Sequence, residues 1–458
     1  VALVGTRRAL VGIQRLPLPN SRFNYFTSMG LWVTRSSTGF ATNYSSISFQ
    51  PVITGSTIYV DGINGNNANA GTNPALPRKT ISGVNSLSAS LVHQYLVKGN
   101  SLTPYRVTAG IQITRSCVVS SWDGGRIVVA NTLNANPETW SATAGQPGVY
   151  QSALASSPYS VVDIAFVDGG TSDAPRYRVY PVLGSVAAVQ AAPGSWYWDG
   201  TNLYVQTSDS RAPDAKVLPT NGTQSYTWVP GATVALPVFW QDQIDVVGGY
   251  DAFLLTEQTG SGGDGGNTAL RAYINRSTGQ ACRDQGLHFL TIGNTLCYNC
   301  GGYNTLDDGF HYDGLNAASN TDPAGNHVNI NPSAYNCGAS PSTQANSYSQ
   351  HSLSTAVVVN PNFSMAWNRD LANINSSYMW MLGGAIGPSR QATGTTSISL
   401  QAGTNTSDTT VIYADGTTIR SGSQYDLSAT QGSAILFRGG NPGYTVSPVS
   451  LGTIGSYY

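Results

Sequence analysis

Asp284-Gln285-Gly286-Leu287-His288-Phe289 returns, 23 residues later, as Asp307-Asp308-Gly309-Phe310-His311-Tyr312. Asp, Gly, His and the apolar or aromatic residues flanking that His recur in register. Self-similarity at a short fixed period marks stacked structural units. In a chain rich in Gly, Asn, Ser and Thr, this period suits one coil of a parallel β-helix. Each coil then lays its strands about 4.8 Å from those of the coil before. Equivalent side chains form ladders, so Asp284 is predicted to stack on Asp307, and His288 on His311.

Composition agrees. Of 458 residues, only 10% are charged and 51 are Gly, while 40% are hydrophobic. Such a chain packs a core rather than staying disordered, and its Gly and Asn supply the positive φ of tight turns. A solenoid also escapes the usual length limit on one domain, because it grows in one dimension. Glu138 and Glu257 are the only glutamates, and the Asp-biased acids favour turns over helices. The net charge of −1 leaves no nucleic-acid footprint, and no apolar run reaches the roughly 18 residues of a membrane span. The start of the chain does not read as a signal peptide, since the apolar run Ala9–Ile13 is too short. Arg7, Arg8, Arg15, Arg22 and Arg35 fall in an acid-free stretch, either a solvated surface or a segment that docks on an acidic partner. The five cysteines, an odd number, do not form a full disulfide framework. Cys297 of the lone CxxC is expected on a stacked strand, packed as a small hydrophobe.

Thr57–Val60 reads as a strand entering a Gly/Asn-rich turn, and 82–97 reads as a short helix. "YVDGINGNNANAGTNPALPRKTI" (residues 59–81) resembles the opening coil of right-handed parallel β-helix proteins of the pectate-lyase-like superfamily. That resemblance implies a capping helix over the open end of the solenoid. "PGSWYWDGTNLYV" (193–205) resembles a β-hairpin insert of secreted and viral β-helix proteins, and Asp199-Gly200 suits a tight reversal by itself. Tyr298-Asn-Cys-Gly returns as Tyr335-Asn-Cys-Gly, 37 residues on. One coil leaves 14 residues over, which are assigned to an insertion over 317–326. The expected architecture is all-β: a right-handed single-stranded parallel β-helix over 56–390 with a hairpin insert near 192–206. Residues 1–55 form an N-terminal attachment segment, and 391–458 are either the last coils or a small β cap.

Strand alternation sends Leu287, Phe289, Phe310 and Tyr312 inward and His288 and His311 outward. If the strand is continuous, Asp284, Asp307 and Asp313 join the outward patch, and Gly309 leaves a gap for a ligand. Asp308 would face inward unless a bend at Gly309 rotates it. Stacked carboxylates repel, which raises one pKa toward a general acid's range. A neighbouring His can serve as base or orienter. The structural alternative is that Asp ladders at β-helix turns only brace the bends. Asp307, Asp308 and Asp313 would suit Ca²⁺ by ligand type, but no calcium-loop pattern supports it, and no cofactor is expected.

"LDDGFHYDG" (306–314), followed by "YNCG" and "SYSQHS" (347–352), looks like a pattern in β-helix proteins of bacteriophages and bacteria. Asp308, Gly309, Phe310 and His351 match it, whereas Ser352 stands where the pattern has an acid. The candidate catalytic set is Asp284, His288, Asp307, Asp308, His311, Asp313 and His351. Trp196, Trp198, Trp367 and Trp380 are candidates for stacking on sugar rings. The resemblance to bacteriophage tail spike and fibre proteins implies an extracellular virion protein and a homotrimer. It would bind, and in many such proteins cleave, host surface polysaccharide, with residues 1–55 meeting other virion proteins. Two other readings stand beside it. One is a secreted bacterial polysaccharide lyase or glycoside hydrolase. The other is a non-catalytic glycan-binding adhesin or capsid decoration protein.

Overall fold

In the computed structural model, residues 15–457 are described, apart from 37–38, 82–86, 89, 100–102, 224, 230–236, 257–269, 291–292, 314–324, 339–345, 352, 391–396, 405–406, 421–422, 439–441 and 448–451. Three parallel sheets of twelve, nine and nine strands run the length of the molecule. Through the middle of the solenoid each coil contributes one strand to each sheet, and the twelve-stranded sheet has three further strands. The quoted repeat falls on one nine-stranded sheet, where Leu287–Leu290 pairs in parallel with Phe310–Asp313. Leu287 lies against Phe310, His288 against His311 and Phe289 against Tyr312. The chain is a parallel β-helix.

Alternation explains the interior. Leu287, Phe289, Phe310 and Tyr312 have no exposed surface. Their rings join a spine along the axis: Phe253 to Phe289 at 6.0 Å, Phe289 to Tyr312 at 4.7 Å, Tyr312 to Tyr348 at 5.2 Å and Tyr348 to Phe363 at 5.5 Å. Offset aromatic contacts of this kind add about 0.5–1.5 kcal/mol each beyond area burial. Cys297 packs in this core, and all five cysteines are free and buried.

The sharp corners use Asn. Asn299, Asn331 and Asn360 hold φ of 51°, 53° and 51°, and their amides form a ladder with bonds of 2.9 and 3.1 Å. Asn tolerates this left-handed backbone because its short side chain bonds locally. Asn331→Ala is expected to cost about 1–2 kcal/mol, from the backbone penalty and the broken ladder. A denaturant melt would read it as a lower midpoint at unchanged slope.

The coil-to-coil register corrects the 37-residue repeat. Tyr335 pairs with Tyr303, not Tyr298, and Asn336 bonds Asn304 at 2.7 Å. Both Tyr-Asn-Cys-Gly stretches carry a left-handed Asn, but at different corners of the coil. The sequence likeness reflects shared corner chemistry rather than stacking. Most of the insertion assigned to 317–326 lies outside the described residues.

The expected helix over 82–97 is also corrected. His93–Val97 is a strand, paired in parallel with Thr57–Val60 and Cys117–Ser121. Its alternating burial is the pattern of a strand with one face inside. Residues 82–86 and 89 lie outside the described set.

Two additions flank the solenoid. Between Ile127–Asn131 and Tyr226–Trp228 the chain leaves it to build two small antiparallel sheets. One includes the hairpin Ser195–Trp198 and Asn202–Gln206, reversed at Asp199-Gly200. The described part of the N-terminal segment lies along the outer face of the twelve-stranded sheet. Phe23, Phe26, Leu31 and Val33 are buried there with Trp380, Leu296 and Val357. Tyr44 donates to Asn275 at 2.5 Å and Tyr25 to the His327 carbonyl at 2.9 Å. Its arginines are engaged within the chain: Arg15 over Trp32, Arg22 over Tyr378, and Arg35 with Asp415. At the other end, Ile398–Ala402, Val411–Asp415, Thr418–Ile419 and Tyr425–Ala429 continue the three ladders, so the solenoid runs on through these residues.

Candidate active site

The outward histidines converge. His288 and His311 meet edge to face at 4.8 Å between ring centres, and His311 and His351 lie 4.7 Å apart. Each comes from the same sheet or the turn just after its strand, so the ladder itself brings them together. Around them lies a cleft of about 370 Å³ bordered by Asp307, Asp308, His311, Asn346, His351 and Arg369.

Asp308 is the hub. The chain bends ahead of Phe310, and the Asp308 carboxylate turns to the histidine side rather than into the core. Oδ2 meets His311 Nδ1 at 2.7 Å and accepts from the Ser349 hydroxyl. Oδ1 accepts from the Asn346 backbone N–H at 2.7 Å and from its side-chain amide at 2.9 Å. Gly309 then takes the inward position. A Cβ there would sit 2.8 Å from Cys337 Sγ and 2.7 Å from the Ser347 carbonyl. Gly309 therefore permits close coil packing and is not a gap for a ligand.

Burial alone would raise the Asp308 pKa, but the bonds from His311 and Ser349 and the His311 charge hold it below the usual range. Burial would likewise depress His311. Asp308 and Asp313 outweigh that and lift it to about 10. The pair is thus an ionised carboxylate and an imidazolium. Asp313 Oδ2 lies 3.9 Å from His311 Nε2.

Asp307 stands in contrast. Its Oδ1 is buried without a hydrogen-bond partner, and Oδ2 accepts a long 3.3 Å bond from Gln285. Burial and the Asp308 and Asp284 charges raise it to about 8. Asp284, one coil below, is also raised, by burial and by Asp251. His288 has Asp251 Oδ1 3.3 Å from its Nδ1, with neither ring nitrogen in a well-formed hydrogen bond. His351 is pushed down to about 4 by burial and by the neighbouring His311 charge, so its imidazole is neutral at pH 7. No hydrogen bond to either of its ring nitrogens is formed among the described residues. Ser352, which replaces the acid of the bacteriophage pattern, lies outside them.

Arg369, Asn346 and Ser349 escaped the sequence reading. Asn346 and Arg369 are register partners one coil apart. Extending the 23-residue period past Asn346 would have found the arginine. Burial lowers the Arg369 pKa to about 10, and its Nε has no partner. It remains a cation facing the cleft.

Asp308, His311 and His351 bring one donor atom each within 4.8 Å of one another, a spacing that a divalent cation can draw together. Yet Asp308 already accepts four hydrogen bonds. The protein alone satisfies this carboxylate, and the fit to a cation is poor.

The tryptophans divide. Trp380 has no exposed surface and meets Phe23 and Phe26 at 6.1 and 6.4 Å. The N-terminal segment covers the face that a sugar would need. Trp196 is 5% exposed and donates to the Tyr180 carbonyl, so it too is chiefly packing. Trp198 is half-buried and donates to the Leu154 carbonyl. Trp367 is half-buried beside Arg390 and keeps accessible surface.

No protein-family profile matches the chain, and neither does any curated protein. Among solved structures, one described as "The complex structure of XylC with xylose" matches 83% of this chain and 69% of its own, at TM-score 0.43 and 9% identity.

Proposed function

We propose that the chain cleaves an acidic polysaccharide by acid–base elimination in the Asp307–Arg369 cleft. The observation that carries this reading is the pairing of a protonated Asp307 carboxyl, one oxygen of which has no partner, with a neutral His351 whose ring nitrogens make no bond among the described residues, in one cleft that also holds two cations. Elimination from a uronate needs those parts. Arg369 and the His311 imidazolium oppose the sugar carboxylate and make the proton on the adjacent carbon acidic. His351 removes that proton, and the electron pair forms the C=C bond as the glycosidic C–O bond breaks. Asp307 gives its proton to the departing oxygen. Hydrolysis is less well served, because its oxocarbenium-like transition state calls for a free carboxylate, and Asp308 is tied by four bonds. The sequence resemblance adds the setting: a virion spike or fibre, trimeric, meeting the surface polysaccharide of its host.

Incubation with uronate polymers is expected to yield shortened chains with an unsaturated, ultraviolet-absorbing end. Arg369→Gln should lower kcat/KM by roughly ten- to a hundredfold, the worth of one charge-assisted contact. Chelator should leave the rate unchanged. Shortened chains with saturated ends would replace elimination with hydrolysis, and tight binding without shortening would make the protein an adhesin.

A further inference from the structure

A second groove, of about 580 Å³, opens where the antiparallel insert meets the solenoid. Tyr177, Tyr180 and Trp196 form the insert wall, and Asn304, Tyr335 and Asn336 the solenoid wall. Two arginines enter it on aromatic supports. The Arg176 guanidinium lies 3.8 Å over the Tyr335 ring, and Arg390 lies 5.8 Å from the Trp367 ring. Arg176 gives one bond to the Asp168 carbonyl at 2.6 Å. Neither arginine pairs with a carboxylate among the described residues. The one acid lining the groove, Asp168, is held by Arg178 through bonds of 2.5 to 3.0 Å. The groove therefore carries two uncompensated cations between aromatic walls. Its rim exposes Val182, 62% accessible.

We infer that this groove is a second saccharide site, selective for a carboxylate-bearing sugar residue. A guanidinium fork matches a carboxylate through two parallel bonds, and its place over the Tyr335 ring positions it in advance. Val182 and the half-buried Tyr159, which also lines the groove, suit the apolar face of a sugar ring. The groove is also near the cleft: Asn304 precedes Asp307 by three residues, at most roughly 11 Å of chain. Trp367 and Arg390 are held to neighbouring corner residues, with Trp367 N–H on the Cys337 carbonyl and Arg390 N–H on the Ala366 carbonyl. One polymer can then occupy both places, its acidic residues held at the insert while another sugar meets Asp307. The inference shares with the proposed function the idea of an acidic glycan, but it does not require cleavage.

Calorimetric titration with galacturonate oligomers, against neutral cello-oligomers, tests it on the full chain. Wild type is expected to bind the acidic series and not the neutral one. Arg176→Gln and Arg390→Gln should each weaken binding by roughly tenfold or more. Arg176→Lys, which keeps the charge and loses the fork, should fall between and guards against a misfolded Gln variant. Unchanged affinity in both arginine variants, or equal binding of the neutral series, overturns the site. Arginine-dependent binding without any cleavage by wild type would sink the elimination reading and leave the groove standing. Cleavage with arginine-independent binding would do the reverse.

Discussion

Asp307→Asn should lower the cleavage rate by about 10²–10⁴-fold, the usual worth of a positioned general acid, without unfolding the protein. The amide fills the same space but has no proton to give. The pH profile carries the second half of the prediction. Activity should need neutral His351 and protonated Asp307, which confines it between limbs near pH 4 and pH 8. Stability should move the other way. A carboxyl raised to about 8 in the fold, against about 3.9 when unfolded, binds more protons in the native state between those values. Native stability therefore declines as pH rises through that window. Asp307→Asn removes the titrating group, so the variant should match wild type in acid and exceed it increasingly toward pH 8. Thermal melts across that range test this point apart from catalysis. A variant that loses activity but melts below wild type at pH 8 would return Asp307 to a structural role.

The core ladder was legible because it repeats. One His between two apolar residues, returning at a fixed interval, determined the face of each strand, and the pairing of His288 with His311 follows that register. What the sequence concealed was the corner. Strand parity assumes a straight chain, and the bend before Phe310 reverses Asp308 and Gly309 together. An acid that parity sends inward becomes the hub of the site, and a glycine read as an opening becomes a packing contact. Trp380 was misleading for a related reason. Its side chain does lie on the outer face of the twelve-stranded sheet, but a segment more than 300 residues earlier in the chain covers that face, and local pattern carries no trace of it. Arg369 was hidden because the intervals between its coil and the quoted repeat are unequal. Phe310 pairs with Tyr348, 38 residues on, before the 23-residue interval resumes from Asn346 to Arg369.

Asp308→Ala should be the most destabilising single change at the site, by about 3–5 kcal/mol at pH 6, the range for breaking a buried ion pair. The cost is not the loss of attraction alone. His311 would lose its nearest counter-ion and keep only the more distant Asp313, and the Asn346 and Ser349 donors would lose their acceptor in a buried place. The two ionisations set the pH dependence. Asp308 is depressed, so its contribution is present above the unfolded carboxyl range and is lost as pH falls through the folded value. His311 is raised to about 10, so its contribution is full below the unfolded value of about 6.5 and is lost as pH rises toward 10. The penalty of Asp308→Ala should therefore peak between about pH 4 and 6.5 and shrink on both sides. His311→Gln isolates the pair. It leaves Asp308 with its three other donors, and a double-mutant cycle with Asp308→Asn should show a coupling of at least about 1 kcal/mol at pH 6. A cycle that closes to zero would mean that the two groups merely sit together, and would remove the fixed imidazolium on which the elimination chemistry depends.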